Sequence, residues 1–212
     1  MMVLSLHLGH FYFDWSNISM PALPSAVLAS LRAIRAASPR SLPTTSLLHP
    51  FLDRQHVDVY ETTIPSSSNL APTDDIAAVA RAFFRSPIFQ AERMALGAAG
   101  FGRISDAAIG ALDFDVGDRV VVFKVVARTP SQILFCWNDF LPVNGHTWLS
   151  LSDVSGHDTN DGHDHVPALP TRTIQFGSTF EIPTAASRLA VPPHLLYAQV
   201  VLASTRYALT QE

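Results

Sequence analysis

Residues 156–167, GHDTNDGHDHVP, concentrate three histidines and three aspartates, side chains that commonly bind metal ions. Zinc proteases place two histidines four residues apart on a helix, whereas this stretch is rich in Gly, Asp and Asn and lies between two predicted strands. A calcium-binding EF-hand loop needs acidic residues at positions 1, 3 and 5 and Glu at position 12. If Gly162 is taken as position 6, Thr159 and Ala168 occupy positions 3 and 12, and neither is acidic. We therefore expect a polar hairpin loop and no metal site.

Other polar residues could perform acid–base chemistry. Asp139 and His146 lie in WNDFLPVNGHTW, at the facing ends of two adjacent predicted strands. Desolvation raises the pKa of a carboxyl and histidine titrates near neutral pH, so this pair could serve as general acid and base. The alternative is that both residues decorate a hairpin tip. Arg172 shares a predicted strand face with Ile174 and Phe176, from which it could hold an anionic substrate oxygen.

The remaining candidates are expected to line a binding cavity. His194 and Tyr197 open the last predicted helix and could project inward. Glu92 is a reserve acid, although with Arg93 it could instead contribute to an ion pair that anchors a helix to the sheet. The residues expected to contact substrate are Tyr197, Trp148, Phe176, Phe123 and Glu92.

The composition narrows the choice of function. The chain has 212 residues, of which 48% are apolar and 15% charged, against a usual charged fraction of roughly 25%. So few charges indicate a large interior, a surface covered by a partner subunit, or an apolar cavity. The net charge is −4 and the basic residues are scattered, which excludes a nucleic-acid partner. The single cysteine, Cys136, excludes an internal disulfide and favours a reducing compartment.

The first fifteen residues, MMVLSLHLGHFYFDW, are apolar but carry no basic segment typical of a signal peptide. A targeting role for this stretch remains the alternative. No apolar run approaches the ~20 residues of a membrane span. We expect a soluble, cytoplasmic protein without a membrane span.

Hydrophobic spacing predicts an α+β chain. Apolar residues recur at helical spacing early in the chain, alternate with polar ones from Asp118 onward, and cover most sides of the last segment. The predicted elements are a helix within 20–43, a strand within 55–67, two helices within 72–102, antiparallel strands within 118–183, and a closing helix from Pro192. We expect a curved antiparallel sheet wrapped around the C-terminal helix, with Leu196 of that helix in the core. Residues 1–50 would form an extension and residues 51–212 a single domain.

Residues 83–93, FFRSPIFQAER, are the most distinctive segment of the chain. Together with FKVVARTPSQILFC, TWLSL and RTIQFGSTFEIP, they resemble a family of small uncharacterised proteins that share an FF-x-S-P-x-F-x-x-E-R segment. That family is similar to the START-like or helix-grip superfamily, which includes relatives of polyketide cyclases and Bet v 1-like plant allergens. The resemblance covers residues 56–210 and implies a helix-grip fold with a ligand cavity. It implies no reaction and carries over no catalytic residue.

Three functions are compatible with these observations. The leading hypothesis is a cofactor-independent enzyme of secondary metabolism that cyclises, isomerises or dehydrates an apolar oxygenated small molecule, because such chemistry needs a shaped cavity and one or two acid–base groups. In this hypothesis Asp139, His146 and Arg172 are the catalytic residues. The runner-up is a non-catalytic carrier of apolar ligands. The third is a structural subunit whose apolar surface is a protein interface, and a homodimer is compatible with all three.

Overall fold

The computed structural model describes residues 25–64, 70, 75–137, 145–154, 171–181 and 185–211. Three sequence predictions lie outside the described residues. They are the interpretation of residues 1–15, the polar loop at 156–167 with its expected lack of a metal site, and the candidate acid Asp139.

The described residues form one curved, antiparallel sheet of seven strands in the spatial order β1-β2-β7-β6-β5-β4-β3. The strands are β1 (Arg35–Ala37), β2 (His56–Ile64), β3 (Arg119–Val120), β4 (Phe123–Thr129), β5 (Gln132–Cys136), β6 (Gly145–Val154) and β7 (Thr171–Phe180). The helices are α1 (Ser25–Leu31), α2 (Ile76–Arg85), α3 (Pro87–Ala98), α4 (Asp106–Gly110) and α5 (Ala185–Gln211). The predicted α+β class, with a curved antiparallel sheet and a C-terminal helix, is confirmed.

The two faces of the sheet bury different sets of side chains, because successive residues of a strand point to opposite faces. The inner face, which we define as the face covered by α2, α3 and α5, carries Leu149 and Leu151 of β6 in the larger hydrophobic core. The outer face carries Trp148 of the same strand. This tryptophan belongs to a second, smaller cluster formed with the segment before β2. Both faces of the central strands are therefore buried.

Helices α2 and α3 meet at a sharp break that the sequence predicts. Asp75 caps α2 by accepting a hydrogen bond of 2.9 Å from the backbone N–H of Ala77. Ser86 separates the helices, and Pro87 occupies the first position of α3, where the missing N–H has no helical partner to lose. Phe83 and Phe84, at the end of α2, are almost fully buried in the larger core, so the break places the FFRSPIFQAER segment over the inner face.

Helix α5 crosses the inner face and differs from the prediction in two respects. It begins at Ala185, so Pro192 and Pro193 lie inside it and do not open it. Leu196 was expected in the core, but its side chain is 60% exposed. The buried positions lie further along, at Val201 and Leu202 among others, because only one side of the helix contacts the sheet. Among the residues described, no helix, α5 included, is long and apolar enough to cross a membrane.

We predict that α5 contributes to stability through Leu202 and not through Leu196. The Leu202 side chain is fully buried, so Leu202→Ala should lower the free energy of unfolding by about 2–5 kcal/mol. Leu196→Ala on the same helix is the matched control and should change it by less than about 0.5 kcal/mol. Urea denaturation of both variants measures the difference, and equal losses would contradict the placement of α5.

Candidate functional site

A cavity of about 60 Å³ lies between the inner face of the sheet and helices α2, α3 and α5. Its wall is mainly apolar, with four phenylalanines among the lining residues. At about 10–15 Å³ per water molecule on the same measure, it has room for roughly four to six waters. Its polar lining consists of Glu92, Trp137, Thr147, Ser178, His194 and Tyr197.

The lining residues of each helix or strand lie on the same side of that element, because they are spaced at its regular interval. On α3 they are Phe89, Glu92 and Leu96, and the intervals of three and four residues place them on one side of a helix. His194, Tyr197 and Val201 repeat the same intervals on α5. On β7, Phe176 and Ser178 are two residues apart and share the inner face, and Thr147 of β6 is the direct cross-strand partner of Ser178. One side of each helix and one face of the sheet therefore enclose the cavity.

Glu92 and Tyr197 form a buried pair between α3 and α5. The Tyr197 hydroxyl donates a hydrogen bond to Glu92 Oε2. Burial raises the pKa of Glu92 to about 7, and the hydrogen bond from Tyr197, which favours the carboxylate, offsets only part of this increase. Burial and the neighbouring Glu92 charge together raise the pKa of Tyr197 well above its ordinary value. Near neutral pH, Glu92 can thus either donate or accept a proton, while Tyr197 keeps its own.

A second polar group joins β2, β7 and α5. The Ser178 hydroxyl oxygen lies 2.7 Å from Asp58 Oδ1 and 2.7 Å from His194 Nε2. His194 Nε2 is also 3.4 Å from Asp58 Oδ1. In a Ser-His-Asp catalytic triad, serine and aspartate contact different nitrogens of the histidine ring. Here both contact Nε2, so this group is not a triad for nucleophilic catalysis by serine.

Trp137 forms another part of the cavity wall, and the position of its indole depends on Gly145. A Cβ atom placed on Gly145 would lie 2.1 Å from Cζ2 of the Trp137 indole, much closer than real Cβ contacts allow. The indole therefore packs directly against the glycine backbone. Its Nε1 atom is buried and has no hydrogen-bond partner within the described part of the chain.

The structure brings together some of the residues predicted for the site. Glu92, Phe123, Phe176 and Tyr197 all line the cavity, and so does His194, which was considered only as an inward-facing residue. The alternative for Glu92, an ion pair involving Arg93, does not form. Arg93 instead pairs with Asp106 and donates a hydrogen bond of 2.7 Å to the carbonyl of Ile104, which ties α3 to α4.

Three other predicted residues lie away from the cavity. His146 and Trp148 were expected at the site, but both occupy outer-face positions of β6. His146 is within hydrogen-bonding distance of Thr179, at 3.1 Å, and burial lowers its pKa. Trp148 donates to Gln132 Oε1 at 3.0 Å. These placements differ from the prediction because alternation along β6 turns residue 147, and not its two neighbours, toward the cavity.

Arg172 shares the inner face with Phe176, as predicted, but lies at the far end of β7. It is six residues from Ser178, or about 20 Å at roughly 3.3 Å per residue. Its Nε atom lies 3.0 Å from Asp153 Oδ1 on the neighbouring strand. The structure therefore does not bring Arg172 and His146 together as catalytic partners.

Sequence reasoning missed Asp58, Thr147 and Ser178 as site residues. The one available signal was Asp58 in HVDVYETTI, an acidic residue between two valines on a predicted strand. Thr147 and Ser178 carry no such signal, since hydroxyl residues are common on strands. Among the described residues, no group of three or more His, Cys, Asp or Glu side chains could hold a metal ion.

The chain matches no protein-family model, no curated protein and no solved structure. The resemblance to START-like proteins consequently gains no support from relatives. The function has to be argued from the geometry of the cavity.

We predict that Gly145 is required for the cavity wall. Gly145→Ala should force the Trp137 indole out of place and destabilise the fold by about 1–3 kcal/mol, as overpacking does elsewhere. Gly110→Ala is the control, because a Cβ at Gly110 would meet nothing within 4 Å. Thermal and urea unfolding of both variants measure the effect. A Gly145→Ala protein as stable as the wild type would contradict the close packing of Trp137.

Proposed function

We propose that this protein is a helix-grip enzyme that binds a small, apolar, oxygenated molecule in the cavity and isomerises, cyclises or dehydrates it by acid–base catalysis. Glu92 is the proton-transfer residue in this proposal. The observation that carries it is a carboxyl group with a pKa of about 7 in the wall of an apolar cavity. The helix-grip assignment is supported by the packing of α5 against the inner face of a curved antiparallel sheet.

The pKa of Glu92 suits its proposed role. A general acid or base is most efficient when its pKa lies near the working pH, because both protonation states are then populated. Tyr197 donates to the carboxyl oxygen and so keeps the group oriented in both states. Isomerisation needs no other reactant, since a proton leaves one atom of the substrate and a proton returns to another.

The size of the cavity limits the substrate. With room for roughly four to six waters, the cavity suits a molecule of about the size of benzene. Drug-sized ligands occupy pockets of about 300–1,000 Å³. The phenylalanine side chains of the wall favour an apolar ligand body, and the polar groups can bind one or two oxygen atoms.

A non-catalytic carrier is the second candidate, and one observation favours it. The polar groups of the cavity already hydrogen-bond one another, Tyr197 with Glu92 and Ser178 with Asp58 and His194. A carrier would leave these pairs intact and hold its ligand through apolar contacts alone. Proton exchange on a bound ligand distinguishes the two candidates.

We predict that the protein exchanges carbon-bound protons of small ketones with solvent. Cyclopentanone and cyclohexanone, incubated with the protein in D₂O, should lose their α-proton NMR signals faster than in buffer. Glu92→Gln should remove this acceleration, a loss of about 10²-fold or more, because the amide cannot transfer the proton. Glu61→Gln is the matched control, since Glu61 pairs with Gln175 on the outer face. Ketone binding without exchange would favour the carrier.

We also predict a pH dependence of stability that comes from Glu92. The pKa of Glu92 is about 7 in the folded protein and about 4.5 when unperturbed, so the folded state binds the extra proton between these values. Stability should therefore fall as the pH rises from about 4.5 to 7, by up to roughly 3 kcal/mol from this group. Glu92→Gln should lack this decrease. Urea denaturation at pH 5 and pH 7.5 tests it, and parallel profiles for the two proteins would contradict it.

A further inference from the structure

We propose that His194 is a second proton-transfer group of the cavity, which Ser178 and Asp58 hold in a single tautomer, and that the substrates are small carbonyl compounds with an acidic C–H bond. This inference rests on the proposed function and extends it. It assigns the proton-accepting role to His194 Nδ1 and the proton-donating role to Glu92. Asp58 and Ser178 are positioning residues that act through His194.

The tautomer follows from counting hydrogens. An ionised aspartate only accepts hydrogen bonds, and a serine hydroxyl has one hydrogen to donate. Ser178 therefore donates to Asp58 Oδ1 at 2.7 Å. The contact of 2.7 Å between Ser178 Oγ and His194 Nε2 then requires a hydrogen on Nε2. Asp58 and Ser178 are 7% and 1% exposed, so no bulk water competes for these bonds.

The assignment leaves the other ring nitrogen as an acceptor. A neutral imidazole with its hydrogen on Nε2 carries a lone pair on Nδ1. No hydrogen bond to Nδ1 is found among the described residues, the His194 side chain is 21% exposed, and the ring lines the cavity. Nδ1 is therefore available to take a proton from a ligand.

The Asp58 carboxyl group and the Phe180 ring lie beside the imidazole of His194. Its Nε2 is 3.4 Å from Asp58 Oδ1, so the positive charge that the transfer places on the ring lies next to a carboxyl group. His56 Nε2 is 4.0 Å from the same carboxyl oxygen. The Phe180 and His194 rings are steeply inclined to one another, at 68°, with their centroids 4.6 Å apart. Glu92 and Tyr197 are the other titratable groups in the cavity wall.

The two proton-transfer groups belong to α3 and α5, and Tyr197 of α5 links them. Tyr197, which binds Glu92, is three residues from His194, a rise of about 4.5 Å along the helix. A carbonyl compound between them can lose a proton from its α-carbon to His194 Nδ1. The C–H electron pair forms a carbon–carbon double bond, the carbonyl π pair moves to oxygen, and the oxygen takes the Glu92 proton. Where the substrate carries a β,γ carbon–carbon double bond, His194 returns the proton to the γ-carbon, the double bonds shift by one position, and the oxygen returns its proton to Glu92. The product is an isomer and both residues are restored. In a saturated ketone the proton returns to the same α-carbon, and the result is exchange with solvent.

The tautomer can be tested without any substrate. Long-range ¹H–¹⁵N NMR of the full chain, with His194→Gln to assign the signal, should show His194 with its hydrogen on Nε2 and an unprotonated Nδ1. Asp58→Asn replaces an acceptor-only carboxylate with an amide that can also donate to Ser178, so the direction of the hydrogen bonds is no longer fixed and a mixture of the two tautomers should result. A hydrogen on Nδ1 in the wild-type protein would overturn the inference.

The catalytic role is tested in the ketone exchange assay. His194→Gln should reduce the accelerated deuterium exchange by about 10²-fold or more while cyclohexanone still binds. His49→Gln, in the segment on the outer face, is the control and should exchange as the wild type does. If Glu92→Gln abolishes exchange and His194→Gln does not, this inference fails and the proposed function stands. If the wild-type protein does not exchange, or if Glu92→Gln has no effect, the proposed function fails.

Discussion

The register of β7 between β2 and β6 is the constraint on which the site depends. It aligns Asp58, Ser178 and Thr147 in one row across three strands on the inner face. The next row, with Gly177 at its centre, places Trp148 on the outer face. A shift of one residue would exchange the two faces of the strand. The same register therefore decides which polar groups reach the cavity and which large side chains fill the outer cluster.

The inner face of the sheet contains the apolar core and also buried polar groups, which lower the stability of the folded protein. An apolar wall of phenylalanines disfavours the charged form of Glu92, and this raises the pKa of the carboxyl. The same apolar wall strengthens any hydrogen bond formed inside it, since a low dielectric favours electrostatic contacts. Tyr197 and Ser178 limit the cost because each donates a hydrogen bond to one of the buried carboxyl groups, Glu92 and Asp58. A buried carboxyl group whose pKa is raised by an apolar wall is typical of sites that carry out acid–base chemistry.

Sequence patterns predicted the fold better than the site. Many residues together define the apolar spacing of a helix or strand, whereas a site depends on where single side chains lie. Alternation after Asp118, helical spacing within 72–102 and the apolar last segment predicted most of the strands and the main helices, but not β1, which lies within the range 20–43. The face of β6 could not be predicted, since Trp148 and Leu149 are both large and apolar and both faces are covered. The face of Arg172 was predicted correctly, but not its distance from the cavity. The position of the cavity along β7 depends on how β7 pairs with β2 and β6. The sequence of one strand does not reveal that pairing.

The prolines before His194 fit the same physical scheme. Pro192 and Pro193 lack the N–H that a helix interior uses, and their rings fix the backbone angle φ. The loss of two helical hydrogen bonds is a cost, but the backbone immediately before His194 loses conformational freedom in the unfolded chain as well. The orientation of the imidazole itself is set by its contacts to Ser178 and Asp58. Because these contacts lie within the protein, the ring is preorganised, and the small cavity can present one particular ring nitrogen without help from a ligand.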